Sequence, residues 1–269
     1  MKYLYILISL LITIPCKLNA QKQQVLAPAN LECKYNLVVI KDTLDRSQKT
    51  DDIMILKIGE TCSQFYSYYT FYNDSIRTDP IGSKIAGRMT IMAIRKKDFS
   101  LMPMPRSTNG YIYKSYPKAG QITTFTRLES KNGMDYFQIQ EENNEQSWIM
   151  QDSVKQIAEY HCQLASCTFR GRKWSAWFTI DIPVNNGPWK LSGLPGLILE
   201  AYDDDHHYHY TIFEIKKQDL SPIYLYNFWE KQYEKIDRIK YLQVKNKRRE
   251  ESLKDRIHTA FEPQETDYR

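Results

Sequence analysis

Eight consecutive residues, Asp203 to Tyr210, read DDDHHYHY and place three carboxylates and three imidazoles in one short stretch. These are ligand types for zinc, copper or nickel. His207 and His209 are two apart, so on a strand they would share a face. His206, Asp203 or Asp205 would then complete a tetrahedral or octahedral set. A metal ion is the one cofactor the chain suggests, serving either an enzyme or a metal-binding accessory protein. An Asp-rich segment between two apolar runs is equally the composition of a plain hairpin turn. The two readings differ in whether the ligand atoms converge.

Other candidate chemistry is thinner. His161 and Cys162 are adjacent, and neighbours on a strand point to opposite faces, so this imidazole would not activate this thiol. Glu200, Asp181 and Glu214 fall on expected strands, where carboxylates usually face solvent. Paired-carboxylate hydrolysis would need two of them to converge. No catalytic residue is assigned. The preferred functional class is a non-enzymatic binding or accessory protein, with its ligand in the concave face of a sheet or against rows of aromatic side chains.

The chain is sparing with glycine, yet GPWKLSGLPGLILEAYD, from Gly187 to Asp203, holds three of its ten. The pattern is neither GxGxxG nor a P-loop, and proline removes N–H donors that a phosphate cradle needs. Leu194-Pro195-Gly196-Leu197 has the form of a type II turn, with Pro195 presetting φ and Gly196 supplying the positive φ at the third position. Gly193 is assigned close approach to a neighbouring segment. Trp189 and Leu191 would pin this rigid link to the core.

Gly193, Leu194, Pro195, Gly196, Leu197 and Ile198 spell the string for which the GLPGLI family is named. The longer stretch AWFTIDIPVNNGPWKLSGLPGLILEAYD resembles that family's signature, as does the run around Cys162 and Ala165 that leads into it. FYSYYTFYNDS is a looser match, and the resemblance spans about residues 31–220. It implies a β-rich exported protein of one group of Gram-negative bacteria. The family brings no established reaction and no catalytic residues.

Several elements must position these residues. CKYNLVVIKDTLD and DDIMILKIGETCSQFYSYYTFYND read as strands separated by a polar turn, and the tyrosine-rich alternation suits strands. KIAGRMTIMAIRKKD fits helix or strand. YIYKSYP and QITTFTRL read as strands, and MDYFQIQEENNEQSWIMQD as two more joined by a polar loop, 141–146. In KWSAWFTIDIP, Trp174, Ala176, Phe178, Ile180 and Ile182 share one face by period-two alternation. GLILEAYD and YHYTIFEIKK form a hairpin around the Asp-His turn. From Asn227 to His258 the chain has neither glycine nor proline and reads as one or two charged helices, with Ile236, Ile239 and Leu242 as a stripe. The expected fold is mainly β: a curved antiparallel sheet or half-barrel with C-terminal α-helices. The expected divisions are a signal peptide over 1–20, a β-rich domain over 21–226 and a charged helical segment over 227–269.

The signal peptide reading rests on MKYLYILISLLITIPCKLNA, with Lys2, an apolar run broken by Pro15, and small residues before position 21. The run is too short to span a bilayer, and no later window approaches that length, so no transmembrane helix is expected. Cleavage would lower the formal charge from +5 to +3, too little to argue for nucleic acid. The address is the periplasm or the outside of the cell. The expected partners are an envelope protein or a small apolar or peptide ligand. Four cysteines would remain, and an even count in an exported chain favours disulfides. Pairing Cys33 with Cys62 and Cys162 with Cys167 closes the shortest loops.

Overall fold

The computed structural model describes residues 23–41, 45–99, 102, 104–144 and 146–261. The segment read as a signal peptide, 1–20, lies outside the described residues. Twelve strands form one sheet in the order β14 (Glu234–Ile236), β7 (Gly133–Glu142), β6 (Gln121–Ser130), β5 (Tyr111–Lys114), β4 (Ser63–Ser67), β3 (Lys49–Ile58), β2 (Leu31–Ile40), β12 (Tyr208–Lys216), β11 (Leu197–Asp203), β10 (Arg172–Thr179), β9 (Tyr160–Phe169), β8 (Ile149–Ile157). The sheet is antiparallel except where the short β14 (Glu234–Ile236) runs parallel to β7 (Gly133–Glu142). The expectation of a mainly β protein with a curved sheet holds, and the sheet is not a closed barrel.

Connectivity forces the curvature. β7 and β8 (Ile149–Ile157) are consecutive in sequence but ten strand-to-strand steps apart in the sheet. Laid flat, that separation would be about 48 Å. The linker 143–148 spans at most about 25 Å even when fully extended. The sheet must therefore curl until its two ends face each other across this linker.

Curling creates an inside and an outside, and both are packed. Inward from β2 (Leu31–Ile40) point Leu31, Cys33, Tyr35, Leu37 and Val39, at the period of two that a strand dictates. They meet Met54 and Leu56 of β3 (Lys49–Ile58) and Trp174, Ala176 and Phe178 of β10 (Arg172–Thr179). The alternation expected through Ile182 stops with the strand: Ile180 is 67% exposed, while Ile182 returns to the core from the loop. On the outside, Tyr66, Tyr111, Tyr113 and Phe125 form a second, aromatic core. A two-stranded ribbon covers it, made of β1 (Gln24–Ala27) and β13 (Ile223–Leu225), with Tyr226 and Phe228 beyond. Here the tyrosine rows are buried by the chain itself.

The expected strand FYSYYTFYND is broken at Ser67. β4 covers only Ser63–Ser67, after which α1 runs Tyr68–Thr78 and α2 runs Pro80–Lys96. The Ser67 hydroxyl accepts from Thr70 N, and Asp79 accepts from Gly82 N, with proline at the first turn of α2. Both are standard N-terminal caps. α1 is anchored on the outer face, where Arg127 of β6 (Gln121–Ser130) forms a bidentate pair with Asp74 at 2.7 and 2.8 Å. α2 packs on α1.

At the C-terminus the described residues form one helix, α3 (Arg238–Phe261). Ile236 belongs to β14, so the helix starts later than the apolar stripe suggests. Ile239 is exposed, and the helix lies against β7 through Tyr241 on Phe137 and Arg248 on Asp135.

The disulfide expectation is overturned: Cys33, Cys62, Cys162 and Cys167 are all buried free thiols. Cys162 and Cys167 lie five residues apart on one strand, β9 (Tyr160–Phe169). That is about 17 Å, against the ~6 Å that a bridge needs. Cys33 belongs to the inner core and Cys62 to the outer one, with the sheet between them. Nearness in sequence misled because an extended strand separates what a flexible loop would bring together.

Candidate functional site

Three regions compete for function: the glycine-rich loop, the Asp-His turn, and a cavity beneath α3.

The glycine-rich loop fills the inside of the curled sheet. Leu191, Leu194, Leu197 and Ile198 are almost completely buried, while Pro195 is exposed. Trp189 packs on Trp174 and Phe169. The loop's polar groups are held from several sides. Gln146 and Trp148, in the linker between the sheet's two ends, bond Ser192 N at 2.8 Å and Ser192 O at 2.7 Å. From β5 (Tyr111–Lys114), the Lys114 ammonium donates to Asn186 Oδ1 (2.9 Å), Gly187 O (2.8 Å) and Leu191 O (2.9 Å). All three acceptors are neutral, and burial pulls Lys114 down to about 7. The loop therefore fastens one half of the sheet to the other.

The roles expected of two glycines are exchanged. Gly193 carries the positive φ, at 96°, and Gly196 is not in the left-handed region. A Cβ on Gly196 would lie 1.9 Å from the backbone oxygen of Thr179. Gly196 is there for close approach, so the type II turn expected at Leu194–Leu197 does not form as read.

The Asp-His turn joins β11 (Leu197–Asp203) to β12 (Tyr208–Lys216) as expected. It brings Asp203, Asp205 and His207 together, with one ligand atom of each within 4.8 Å of the others. His206 and His209 go elsewhere: His206 stacks on Tyr202, and His209 Nε2 lies 2.8 Å from Glu200. Asp203 and Glu200 are three apart on β11, so His207 and His209 serve opposite faces. His207 belongs to the turn, not to the strand, and the shared face inferred from spacing does not arise. Arg172 also stands inside the cluster, donating to Asp203 Oδ2 and lying 3.0 Å from His207 Nδ1. Asp203 Oδ1 accepts from Tyr208 N at 2.8 Å, and its backbone oxygen from His206 N at 2.7 Å. Its carboxylate is thus spent on an arginine and on closing the hairpin.

The remaining candidates do not assemble. Burial pushes the Cys162 thiol up to about 11, opposite to what a nucleophile requires, and His161 is exposed. Glu214 pairs with Lys34 at 2.9 Å. Burial raises the Glu200 carboxyl, but hydrogen bonds from His209 and Lys155 outweigh that and hold it below the usual range. Asp181 is exposed.

The third region is a cavity of about 330 Å³ on the concave face, within the size range of small-molecule sites. Leu37, Met54, Phe65 and Ile112 form its apolar wall, and Tyr241 and Leu242 of α3 roof it. Its rim is basic, with Lys190, Arg238 and Lys245. Close by, Glu141 is shared by Lys190, Arg170 (2.6 Å) and Arg238 (4.0 Å). Three cations on one carboxylate leave a positive excess. Burial first, then the neighbouring Arg170, holds Arg238 below its usual value, and burial does the same to Lys190 against the pull of Glu141. Composition gave no hint of this cavity, because its lining runs from Leu37 to Lys245. The one local clue to the inward lysine was register: Lys114 follows Ile112 by two and so shares its face.

A family model described as "Protein of unknown function (Porph_ging)" matches residues 169–200, the β10 strand, the loop and the start of β11. No curated protein matches the chain. Among solved structures, two crystal forms of PNGF-II are similar at 13% identity, with TM-scores of 0.49 and 0.46. They are matched over 80% and 79% of this chain, which spans about a third of that protein's length.

Proposed function

We propose that the protein is an exported, non-enzymatic accessory protein of the cell envelope. It holds an apolar molecule with an acidic head in the cavity under α3. One observation carries this reading: an apolar cavity of about 330 Å³ opens beside a rim of Lys190, Arg238 and Lys245, and the nearby Glu141 carboxylate is shared by Lys190, Arg170 and Arg238. The hydrophobic wall favours a hydrocarbon or aromatic body, and the uncompensated charge favours an anionic end. The leader-like Met1–Ala20 supports export, and the intact Gly193–Ile198 string supports membership of the GLPGLI family.

The test is native mass spectrometry of protein isolated from the cell that makes it, without detergent. The expected result is an organic adduct that disappears in the cavity-filling variant Ile139→Trp and weakens in the charge-reversed pair Arg238→Glu, Lys245→Glu. The same protein, denatured, should begin at Gln21. A bare mass in the parent overturns the ligand reading, and an intact Met1 overturns export.

A further inference from the structure

We propose that α2 docks the protein on an anionic lipid surface. The helix rests on the rest of the molecule through small residues: Gly82, Ala86 and Ala93 are its buried positions. The side turned away from α1 exposes large apolar side chains. Ile81 is 72% exposed, Ile85 47%, Ile91 53%, Met92 48% and Ile94 60%. A helix that only shielded α1 would carry charges of both signs there. Instead, Pro80 to Lys97 contains five cations, Lys84, Arg88, Arg95, Lys96 and Lys97, and no acidic residue.

The two kinds of residue lie side by side. Ile81, Ile85 and Met92 fall at i, i+4 and i+11, one row along the helix. Lys84, Arg88 and Arg95 repeat that spacing three residues on and form the adjoining row. A helix lying flat at a bilayer surface needs this pattern: apolar side chains enter the headgroup boundary, and long basic side chains bend back to the phosphates. α2 is about 26 Å long, and no helix among the described residues is long and apolar enough to cross a membrane. Charge also selects the occupant. A second copy packed face to face would bring ten cations together. A nucleic acid would leave the exposed isoleucines against water. Anionic headgroups over hydrocarbon satisfy both rows at once.

The probe is vesicles of phosphatidylglycerol and phosphatidylcholine, compared with phosphatidylcholine alone and sedimented with the full chain at two salt concentrations. Residues 1–20 are themselves apolar, so the readout is the difference between chains altered only in α2. The parent is expected to bind the anionic vesicles at least about tenfold more tightly than the neutral ones, with the advantage shrinking in salt. Lys84→Glu, Arg88→Glu, Arg95→Glu should abolish that advantage. Ile85→Gln, Met92→Gln should lower binding several-fold to anionic vesicles while leaving the salt dependence in place. All five side chains are exposed, so near-UV circular dichroism should be unchanged. Equal binding by parent and charge-reversed chains overturns the proposal. So does a dimer in analytical ultracentrifugation that the Ile85→Gln, Met92→Gln pair dissolves, which would assign the face to a second copy.

Discussion

The glycine-rich loop and the Asp-His turn are the two densest motifs in the chain, and they sit within twenty residues of each other. They end in opposite circumstances. The loop is drawn inside, its apolar residues buried and its carbonyls held by Lys114, Gln146 and Trp148. The turn stays at the rim, with Asp204, Asp205 and His206 exposed. In the loop, Gly196 answers a steric demand of β10, and Lys190, Leu191 and Ser192 are hydrogen-bonded from Gln146, Lys114 and Trp148. In the turn, Asp203 is buried and held by Arg172, while the exposed Asp204 and Asp205 meet Lys173 and Arg46 at the surface. A memorable string of residues is therefore no guide to chemistry: the loop's string is a fastening, and an apolar-walled space of ligand-sized volume lies beside it.

The comparison is broken most directly at Gly196. A methyl group there meets backbone, not a flexible side chain, so either β10 or the loop must move. Gly196→Ala is expected to cost about 3 kcal/mol, read from urea unfolding, and to loosen both halves of the sheet. A cost under about 1 kcal/mol would mean that the loop yields easily and does not fasten the sheet.

Lys114 sharpens the same point through pH. Its ammonium is buried among three neutral acceptors, and burial lowers it from an ordinary lysine value to about 7. Lys114→Met leaves those acceptors unsatisfied and should cost about 2 kcal/mol. Between pH 7 and the ordinary lysine value, the unfolded chain holds a proton that the folded chain has released. The stabilising contribution is thus fully present above the unfolded value and is lost as pH falls through about 7. The parent should gain about 1.4 kcal/mol per pH unit from pH 8 to 10 relative to the Met variant. Parallel curves for the two proteins would show that Lys114 titrates as an exposed lysine does.

What was legible in the sequence was local. Trp174, Ala176 and Phe178 announced β10 by alternation, and the hairpin of β11 and β12 followed from two apolar runs around an Asp-rich turn. What was not legible depended on partners far along the chain. Gly193 and Gly196 are both permissive residues; which one takes the positive φ and which the close approach is decided by Thr179 and by the fold around the loop. The switch from β4 to α1 turns on one serine cap inside a tyrosine-rich run whose composition favours a strand. The cysteines were read by loop length, whereas strand geometry and the sheet between two cores decide the matter. The cavity is built from strands at both ends of the sequence and from α3, so no window of residues contains it.

The smallest effects belong to the turn, and their order matters more than their size. Asp203→Asn keeps an acceptor for Tyr208 N but removes the charge facing Arg172, and should cost about 1 kcal/mol. His207→Ala and His209→Ala should each fall within about 0.5 kcal/mol of the parent, because His209 has the Glu200 carboxylate as its polar partner, His207 touches Arg172 at 3.0 Å and the two aspartates only at 3.8 and 3.9 Å, and neither ring closes the hairpin. A bound ion organising the turn would invert this ranking. His207 would then cost as much as Asp203, and a chelator would reproduce the loss in the parent while sparing the variants. Thermal unfolding of the three variants with and without chelator separates the cases. If Asp203→Asn alone moves the midpoint and chelator moves none, Arg172 is the cation for which this cluster of carboxylates is arranged.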